Sequence, residues 1–124
     1  MESTKKIVRE YTDMHCHILP GVDDGSESME ESLASVDAAL SQGIREIVVT
    51  PHFHPGRYRV QAEAVRTGVQ NLREACKQSG RVVTLYCGQE CYYYSGLIDQ
   101  LRQGNALTMG GTDYVLVEFE PDVL

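Results

Sequence analysis

The chain of 124 residues has no tryptophan, two phenylalanines and no long hydrophobic run. A membrane-spanning helix needs about 18 or more consecutive apolar residues, and no segment of the sequence approaches that length. The polar start, residues 1–20, lacks the apolar core of a secretory signal peptide. We therefore expect a cytoplasmic protein without membrane insertion, with residues 1–124 in one domain that has no internal boundary.

Basic residues are also scarce, with 11 lysines and arginines against 18 acidic residues and a net charge of −7. Proteins that bind nucleic acid usually present a basic surface, because neutralising phosphates supplies much of their affinity. The acidic excess therefore argues against a nucleic-acid partner. It leaves a phosphate-bearing substrate open, provided that bound cations reverse the local charge.

Disulfide and zinc-finger patterns are missing from the sequence. The four cysteines contain no C-x-x-C pair, and the C-x3-C spacing of Cys87 and Cys91 is a weak zinc signal. We expect reduced cysteines that act as small apolar side chains, as is usual in the cytosol.

What is present is an alternation of strand-like and helix-like segments. Strands are predicted over residues 8–15, 44–50, 81–87 and 114–119, with residues 106–109 as a possible further short strand. Helices are predicted from a capping box at Ser28 and Glu31 to Gly43, over residues 61–79, and over residues 97–102. Such alternation predicts an α/β fold of parallel βαβ units, and the chain is too short to close a complete barrel alone.

Potential metal ligands recur at the ends of these strands. In parallel α/β folds, active sites are built at the carboxyl ends of strands. His15 and His17 form an H-x-H pair, whose two-residue spacing in an extended chain directs both imidazoles to one side. The candidates are His15, His17, Asp24, His52, Glu90 and Glu118.

Each candidate has a plain alternative when it is considered alone. An isolated H-x-H pair is often incidental, and Asp23-Asp24-Gly25 has the composition of a simple turn. His52, Glu90 and Glu118 also suit solvated loops and strand ends. Their joint placement at successive strand ends favours a shared metal site.

At these residues the sequence resembles a known family. Residues 13–25, DMHCHILPGVDDG, are similar to the opening motif of the bacterial manganese-dependent tyrosine-protein phosphatases of the polymerase-and-histidinol-phosphatase (PHP) superfamily. Thr50-Pro51-His52, Gly88-Gln89-Glu90 and Val117-Glu118-Phe119 resemble its later motifs. The resemblance runs from about residue 11 to 120.

The resemblance implies the first half of a distorted (β/α)7 barrel with the six candidates as ligands. It implies up to three divalent cations, with manganese preferred to iron or zinc. These cations activate a water molecule that hydrolyses a phosphomonoester. The implied substrate is a phosphotyrosine protein, a bacterial tyrosine kinase of capsule or exopolysaccharide regulation. Because the family's enzymes are longer, we expect weak or no activity from this chain alone and possible self-association through open sheet edges.

Three readings stay open: this phosphatase, another PHP phosphoesterase such as a histidinol-phosphate phosphatase or nuclease, and an inactive metal-binding fragment. A cysteine-based phosphatase is excluded, because no cysteine has an arginine six positions later. Arg57 and Arg59 are candidates for binding substrate at the rim, and Tyr92, Tyr93 and Tyr94 for an aromatic wall or for ordinary packing.

Overall fold

A computed structural model describes residues 10–121, in which helices and strands alternate. The elements are β1 (Tyr11–Asp13), α1 (Met29–Ser41), β2 (Ile44–Val49), β3 (His52–Phe53), α2 (Ala62–Gln78), β4 (Thr84–Cys87), β5 (Glu90–Tyr92), α3 (Leu97–Arg102) and β6 (Leu116–Glu118), with a 3-10 turn (Met109–Gly111) before β6. None of the helices in this part of the chain is long and apolar enough to cross a membrane.

All strands pair in parallel, in two three-stranded sheets. The first has the order β1-β2-β4 and the second the order β3-β5-β6. Because β3 follows β2 after two residues and β5 follows β4 after two residues, the two sheets continue one another. The predicted α/β architecture of parallel βαβ units is confirmed. Two of the predicted strands, β2 and β4, are each followed by a short strand that was not predicted, β3 and β5.

The breaks between paired strands are bridged by the backbone and by one buried amide. Glu90 donates its backbone N–H to the carbonyl of Pro51 at 3.0 Å, which carries the pairing across the interruption. The Gln89 side chain is fully buried. Its Nε2 donates to the carbonyl of Val60 at 2.6 Å, and its Oε1 accepts from the N–H of Leu107 at 2.9 Å. The Gln89 side chain therefore makes hydrogen bonds to backbone groups of two loops, at Val60 and Leu107, that lie outside the strands.

The main core lies between the first sheet and helices α1 and α2. The apolar face predicted for α2 is confirmed, since Val65, Val69, Leu72 and Cys76 are all buried. Burial of each large aliphatic side chain contributes about 1.5–3 kcal/mol. The buried members of this core are Ile18, Leu19, Val36, Ile47, Val49, Val60, Val65, Val69, Leu72, Cys76 and Leu85.

Helix α1 begins and ends where the sequence predicts. The Ser28 Oγ accepts from the Glu31 N–H at 3.2 Å, whereas the Glu31 carboxylate accepts from the N–H of Glu27 at 2.6 Å. The return half of the capping box is therefore shifted by one residue. Gly43 follows the helix with φ 84°, a left-handed conformation that glycine adopts without strain.

Gly68, inside α2, lets the loop after β1 pack closely on the helix. A Cβ at this position would lie 3.1 Å from Leu19 Cδ1, and Leu19 has no exposed surface. The packing explains a glycine that lowers helix propensity by about 1 kcal/mol relative to alanine. It also fixes the loop that carries the first candidate ligands.

Several predicted strand boundaries are wrong. Val8 and Arg9 lie outside the described residues, and β1 ends at Asp13, before His15. The β4 strand starts at Thr84 because Arg81 donates its backbone N–H to Cys76 at 2.9 Å. That bond completes the end of α2.

Residues 106–109 do not form the possible strand. The backbone N–H of Leu107 is taken by the Gln89 side chain, and a 3-10 turn begins at Met109. The N–H of Met109 donates to the carbonyl of Tyr114 at 2.9 Å. This turn delays the last strand, so β6 begins at Leu116.

Candidate metal centre

The segment that bears the H-x-H pair continues from β1 as an extended loop. Thr50 fixes it, because its N–H donates to the Cys16 carbonyl at 2.9 Å and its Oγ accepts from the Cys16 N–H at 3.0 Å. Cys16 packs against the main core, on the opposite side of the segment from His15 and His17. His15 and His17 therefore share a side, with their Nε2 atoms 3.2 Å apart.

Glu90 faces these two imidazoles from β5. Its Oε1 lies 3.0 Å from His15 Nε2 and 2.9 Å from His17 Nε2. Bonds of about 2.0–2.2 Å to one ion place adjacent ligand atoms about 3 Å apart. The three atoms are thus spaced as ligands of a single cation are.

His52 connects the remaining carboxylates. Parallel pairing of β3 with β5 sets His52 beside Glu90, and its Nδ1 lies 3.6 Å from Glu90 Oε1 and 3.5 Å from Glu118 Oε1. On the other edge of the ring, Nε2 lies 3.3 Å from Asp24 Oδ1. All six residues singled out in the sequence therefore meet at one rim, beyond the carboxyl ends of β1, β2 and β4 and at that of β6.

One carboxylate oxygen at this rim has no donor. Glu118 Oε1 is buried and makes no hydrogen bond within the described part of the chain. Burying a charged oxygen without a partner is costly, and a bound cation would compensate it. Mixed imidazole and carboxylate ligands suit manganese, iron or zinc better than magnesium or calcium. The residues present therefore fit a divalent transition metal.

The potential ligand atoms form three overlapping groups, and within each group the atoms lie within 4.8 Å of one another. The groups are His17, Asp23, Asp24 and His52; His15, His17 and Glu90; and His52, Glu90 and Glu118. Each of three residues, His17, His52 and Glu90, belongs to two of these groups. The groups therefore form one cluster that could hold more than one ion.

Asp23 is not among the predicted site residues, because Asp23-Asp24-Gly25 has the composition of a turn. Its side chain is fully buried. Its Oδ2 accepts from the N–H of His52 at 2.9 Å and lies 3.0 Å from His17 Nδ1, while its Oδ1 accepts from the N–H of Gly25 at 2.9 Å. The signal available was a general one: a metal-binding histidine usually donates its second ring N–H to a carboxylate.

This pairing shifts both ionisable groups. The hydrogen bond to Asp23 raises the pKa of His17, with burial opposing it. Burial by itself would raise the pKa of Asp23, but hydrogen bonds from His17, His52 and Gly25 outweigh it and lower that pKa. Asp23 is thus held as a carboxylate that keeps the Nδ1 proton of His17, which leaves Nε2 free to face Glu90.

Gly25 is required where the loop turns back. A Cβ there would lie within 2.6 Å of the Cβ of His17 and still closer to its carbonyl oxygen. Ser26 donates its backbone N–H to the same carbonyl at 3.1 Å. Only a residue without a side chain lets Asp23 and Asp24 approach the histidines.

The two candidate arginines do not join the cluster. Arg57 and Arg59 are exposed; Arg57 lies over the ring of Tyr58, with Cζ 5.8 Å from its centroid, and Arg59 forms a backbone bridge with Phe53. Their role in binding substrate stays a prediction.

The three consecutive tyrosines do not form one wall. Tyr92 packs on His54, with ring centroids 4.1 Å apart, and Tyr93 packs on Phe119 at 5.4 Å. Tyr94 packs against the smaller core, formed by Phe53, Cys91, Leu97 and Ala106. The three tyrosines therefore serve ordinary packing and surface, since Tyr93 is 56% exposed.

The cysteines are free thiols outside the three ligand groups. Burial raises the pKa of Cys16 and of Cys91 to about 12, and it also raises the pKa of Cys76 and Cys87. A thiol is a nucleophile and a metal ligand only as a thiolate. The predicted role of the cysteines as small apolar side chains is confirmed.

Known proteins are similar to this chain in sequence and in fold. Over 110 residues the chain is 36% identical to the tyrosine-protein phosphatase YwqE of Bacillus subtilis, covering 89% of this chain and 43% of YwqE. It is 33% identical to the tyrosine-protein phosphatase CpsB of Streptococcus pneumoniae over 107 residues, covering 86% of this chain and 44% of CpsB.

A solved structure from work on YwqE and CpsB, described as metal-dependent tyrosine phosphatases, superimposes with a TM-score of 0.85 at 34% identity. The superposition covers 89% of this chain and 44% of the chain in the solved structure. The chain thus spans less than half the length of the relatives it matches.

The family model for capsular polysaccharide synthesis proteins of the CpsB/CapC type matches residues 11–123. That range includes all six candidate ligands and Asp23. The chain belongs to the CpsB/CapC family.

Proposed function

We propose that this chain supplies metal ligands to a metal-dependent phosphatase that hydrolyses phosphotyrosine in proteins. The observation that carries the proposal is the convergence of imidazoles and carboxylates from four strand ends, including the unpaired buried oxygen of Glu118. The names of the relatives and the family match support the choice of phosphotyrosine.

The roles of the residues follow from their contacts. His15, His17, Asp24, His52, Glu90 and Glu118 would hold the ions, and Asp23 fixes the ring of His17 and the backbone of His52. Bound divalent ions would neutralise charge on phosphate oxygens and lower the pKa of water. Glu90 touches both His15 and His17 and approaches His52, so it belongs to two of the three ligand groups. Cysteine takes no part, because burial raises the pKa of the thiols.

The finer assignments belong to the same proposal. Manganese is the proposed ion, with iron and zinc as alternatives that the same ligands accommodate. The proposed substrate is a phosphorylated bacterial tyrosine kinase in the cytoplasm, acting in capsule or exopolysaccharide regulation; the family's description in terms of capsular polysaccharide synthesis supports that setting. The (β/α)7 barrel of the PHP superfamily and self-association through edge strands stay predictions.

The metal centre is tested by ion binding to the purified chain. We expect the wild-type chain to bind Mn²⁺ or Zn²⁺ in calorimetric titration, and Glu118→Gln to weaken binding at least tenfold, because an amide oxygen carries no charge to offset the cation. Glu74→Gln is the matched control, since Glu74 is exposed on α2 and should leave affinity unchanged. Equal affinities in wild type and Glu118→Gln would contradict the proposed centre.

The substrate is tested by turnover. Phosphotyrosine peptide, histidinol phosphate and single-stranded DNA are compared with Mn²⁺ present and with a chelator. We expect slow, metal-dependent turnover that favours the phosphotyrosine peptide; the chain spans less than half the length of the phosphatases it matches. Preference for histidinol phosphate or DNA would assign a different phosphoesterase activity, and turnover that survives the chelator would overturn metal dependence.

A further inference from the structure

The chain folds back sharply after β3, and this turn carries a tyrosine to the metal centre. His54 donates its backbone N–H to the carbonyl of Tyr58 at 2.9 Å, and Phe53 forms an antiparallel bridge with Arg59. Arg57 donates its N–H to the carbonyl of His54 at 3.3 Å, which closes the turn. We call residues 52–59 the rim hairpin.

His54 stabilises this hairpin and lies outside the three ligand groups. Its Nδ1 accepts from the N–H of Gly56 at 3.0 Å, within the turn. Its ring packs on Tyr92 of β5, with centroids 4.1 Å apart. The rim hairpin is therefore held both by its own backbone and by the neighbouring strand, so the place of Tyr58 is well defined.

The ring of His52 stacks with two other rings, those of His17 and Tyr58. The ring of His17 stacks on that of His52, with centroids 4.4 Å apart and planes inclined by 26°. The ring of Tyr58 stacks on His52, at 5.6 Å and 22°. Tyr58 also packs against the main core, so it is supported from behind.

We propose that Tyr58 is a positioning residue, which holds the imidazole of His52 in the plane that presents its two nitrogens to opposite ligand groups. The inference rests on the proposed metal centre and goes beyond its ligands. Nδ1 of His52 faces Glu90 and Glu118 while Nε2 faces Asp24, so a rotation of the ring misdirects both edges. His17 is itself oriented by Asp23, which leaves Tyr58 as the other aromatic ring that supports His52.

The test compares an aromatic with an aliphatic replacement in the full chain. Tyr58→Phe keeps the ring, and we expect its affinity for Mn²⁺ or Zn²⁺ to equal that of the wild type. Tyr58→Leu removes the stack, and we expect affinity to fall about three- to tenfold, as is typical of one aromatic pair. Tyr93→Leu is the matched control, because it breaks the stack with Phe119 and should leave ion affinity unchanged.

A second measurement reads His52 directly without metal. In the ion-free chain, we expect the ring-proton NMR signals of His52 to stay sharp in wild type and Tyr58→Phe and to broaden in Tyr58→Leu, as the imidazole samples several orientations; a shift alone would follow from loss of the tyrosine ring current. Unchanged line widths of His52 in Tyr58→Leu, or an equal loss of affinity in Tyr58→Leu and Tyr93→Leu, would overturn the assignment. A wild-type chain that binds no ion would refute the proposed function, and the NMR comparison would still decide the role of Tyr58.

Discussion

Asp23 accepts hydrogen bonds that tie together the loop after β1 and the start of β3. A carboxylate in this position sets the tautomer and the direction of His17, and partners of this kind typically contribute about 10- to 100-fold to metal affinity. We expect Asp23→Asn to weaken binding of Mn²⁺ or Zn²⁺ by that factor, measured by calorimetric titration, because the amide accepts more weakly.

Asp113→Asn is the control for that substitution. Asp113 is exposed in the turn before β6 and forms no ion pair in the described part of the chain, so its affinity should equal that of the wild type. Thermal unfolding of both variants shows whether they remain folded. A folded Asp23→Asn with wild-type affinity would contradict an orienting role for Asp23.

Among the secondary-structure elements, α1 is joined to the segment before β4 by an ion pair. Arg81 donates from Nε and Nη2 to the two carboxylate oxygens of Asp37, at 2.7 and 2.9 Å. The hydrogen bonds from Arg81 lower the pKa of Asp37. A carboxylate with a lowered pKa stabilises the folded state above its unfolded pKa of about 3.9, and that contribution is lost as the pH falls through the folded pKa.

We therefore expect Asp37→Asn to lower the urea midpoint of unfolding modestly at pH 7, since the pair is largely exposed. The difference from wild type should shrink below about pH 4 and disappear once Asp37 is protonated in both states. Denaturation curves at a series of pH values measure this. A difference that is the same at pH 7 and pH 3 would show that the ion pair is not its source.

The sequence predicts the helices and the order of strands better than it predicts strand ends. The apolar spacing of Val65, Val69 and Leu72 is a local signal, and the structure confirms it. The strands β3 and β5, of two and three residues, are too short to show a period. They exist because Pro51 and Glu90 continue the pairing across an interruption.

The sequence indicated the candidate metal ligands, but it did not indicate the residues that orient them. His15, His17 and His52 have side chains that bind metals, but so has His54, which lies outside the three ligand groups. Placement after successive strands, and not residue type alone, indicated the candidates. Thr50, Asp23 and Tyr58 act through partners as many as 34 positions away in the sequence. Their types are common in strands, turns and loops, so no local pattern reveals that they orient a ligand.

In the molecule as a whole, the six candidate ligands run from His15 to Glu118. They lie in the loop after β1 and in the three strands of the second sheet. An ion that binds only the folded chain stabilises it by mass action, by about 4 kcal/mol when the free ion is a thousandfold above its dissociation constant. We expect saturating Mn²⁺ or Zn²⁺ to raise the midpoint of thermal unfolding, and a chelator to reverse the rise.

Glu118→Gln should show a smaller rise than wild type, whereas Glu74→Gln should show the full one. If the ion raised the midpoint equally in wild type and Glu118→Gln, the stabilisation would have to come from binding elsewhere on the chain. Circular dichroism during heating, with and without the ion, is sufficient to measure these shifts.

The unpaired oxygen of Glu118 has one more consequence. Because β6 is an edge strand in the described residues, a cation that joins Glu118 to His52 would act as a reversible crosslink between the last strand and β3, across the width of its sheet. Removing the cation would then loosen the sheet at that margin first, and amide hydrogens of β6 would exchange with solvent before those of β2 and β4. Occupancy of the site would thus regulate local opening of the fold as well as chemistry.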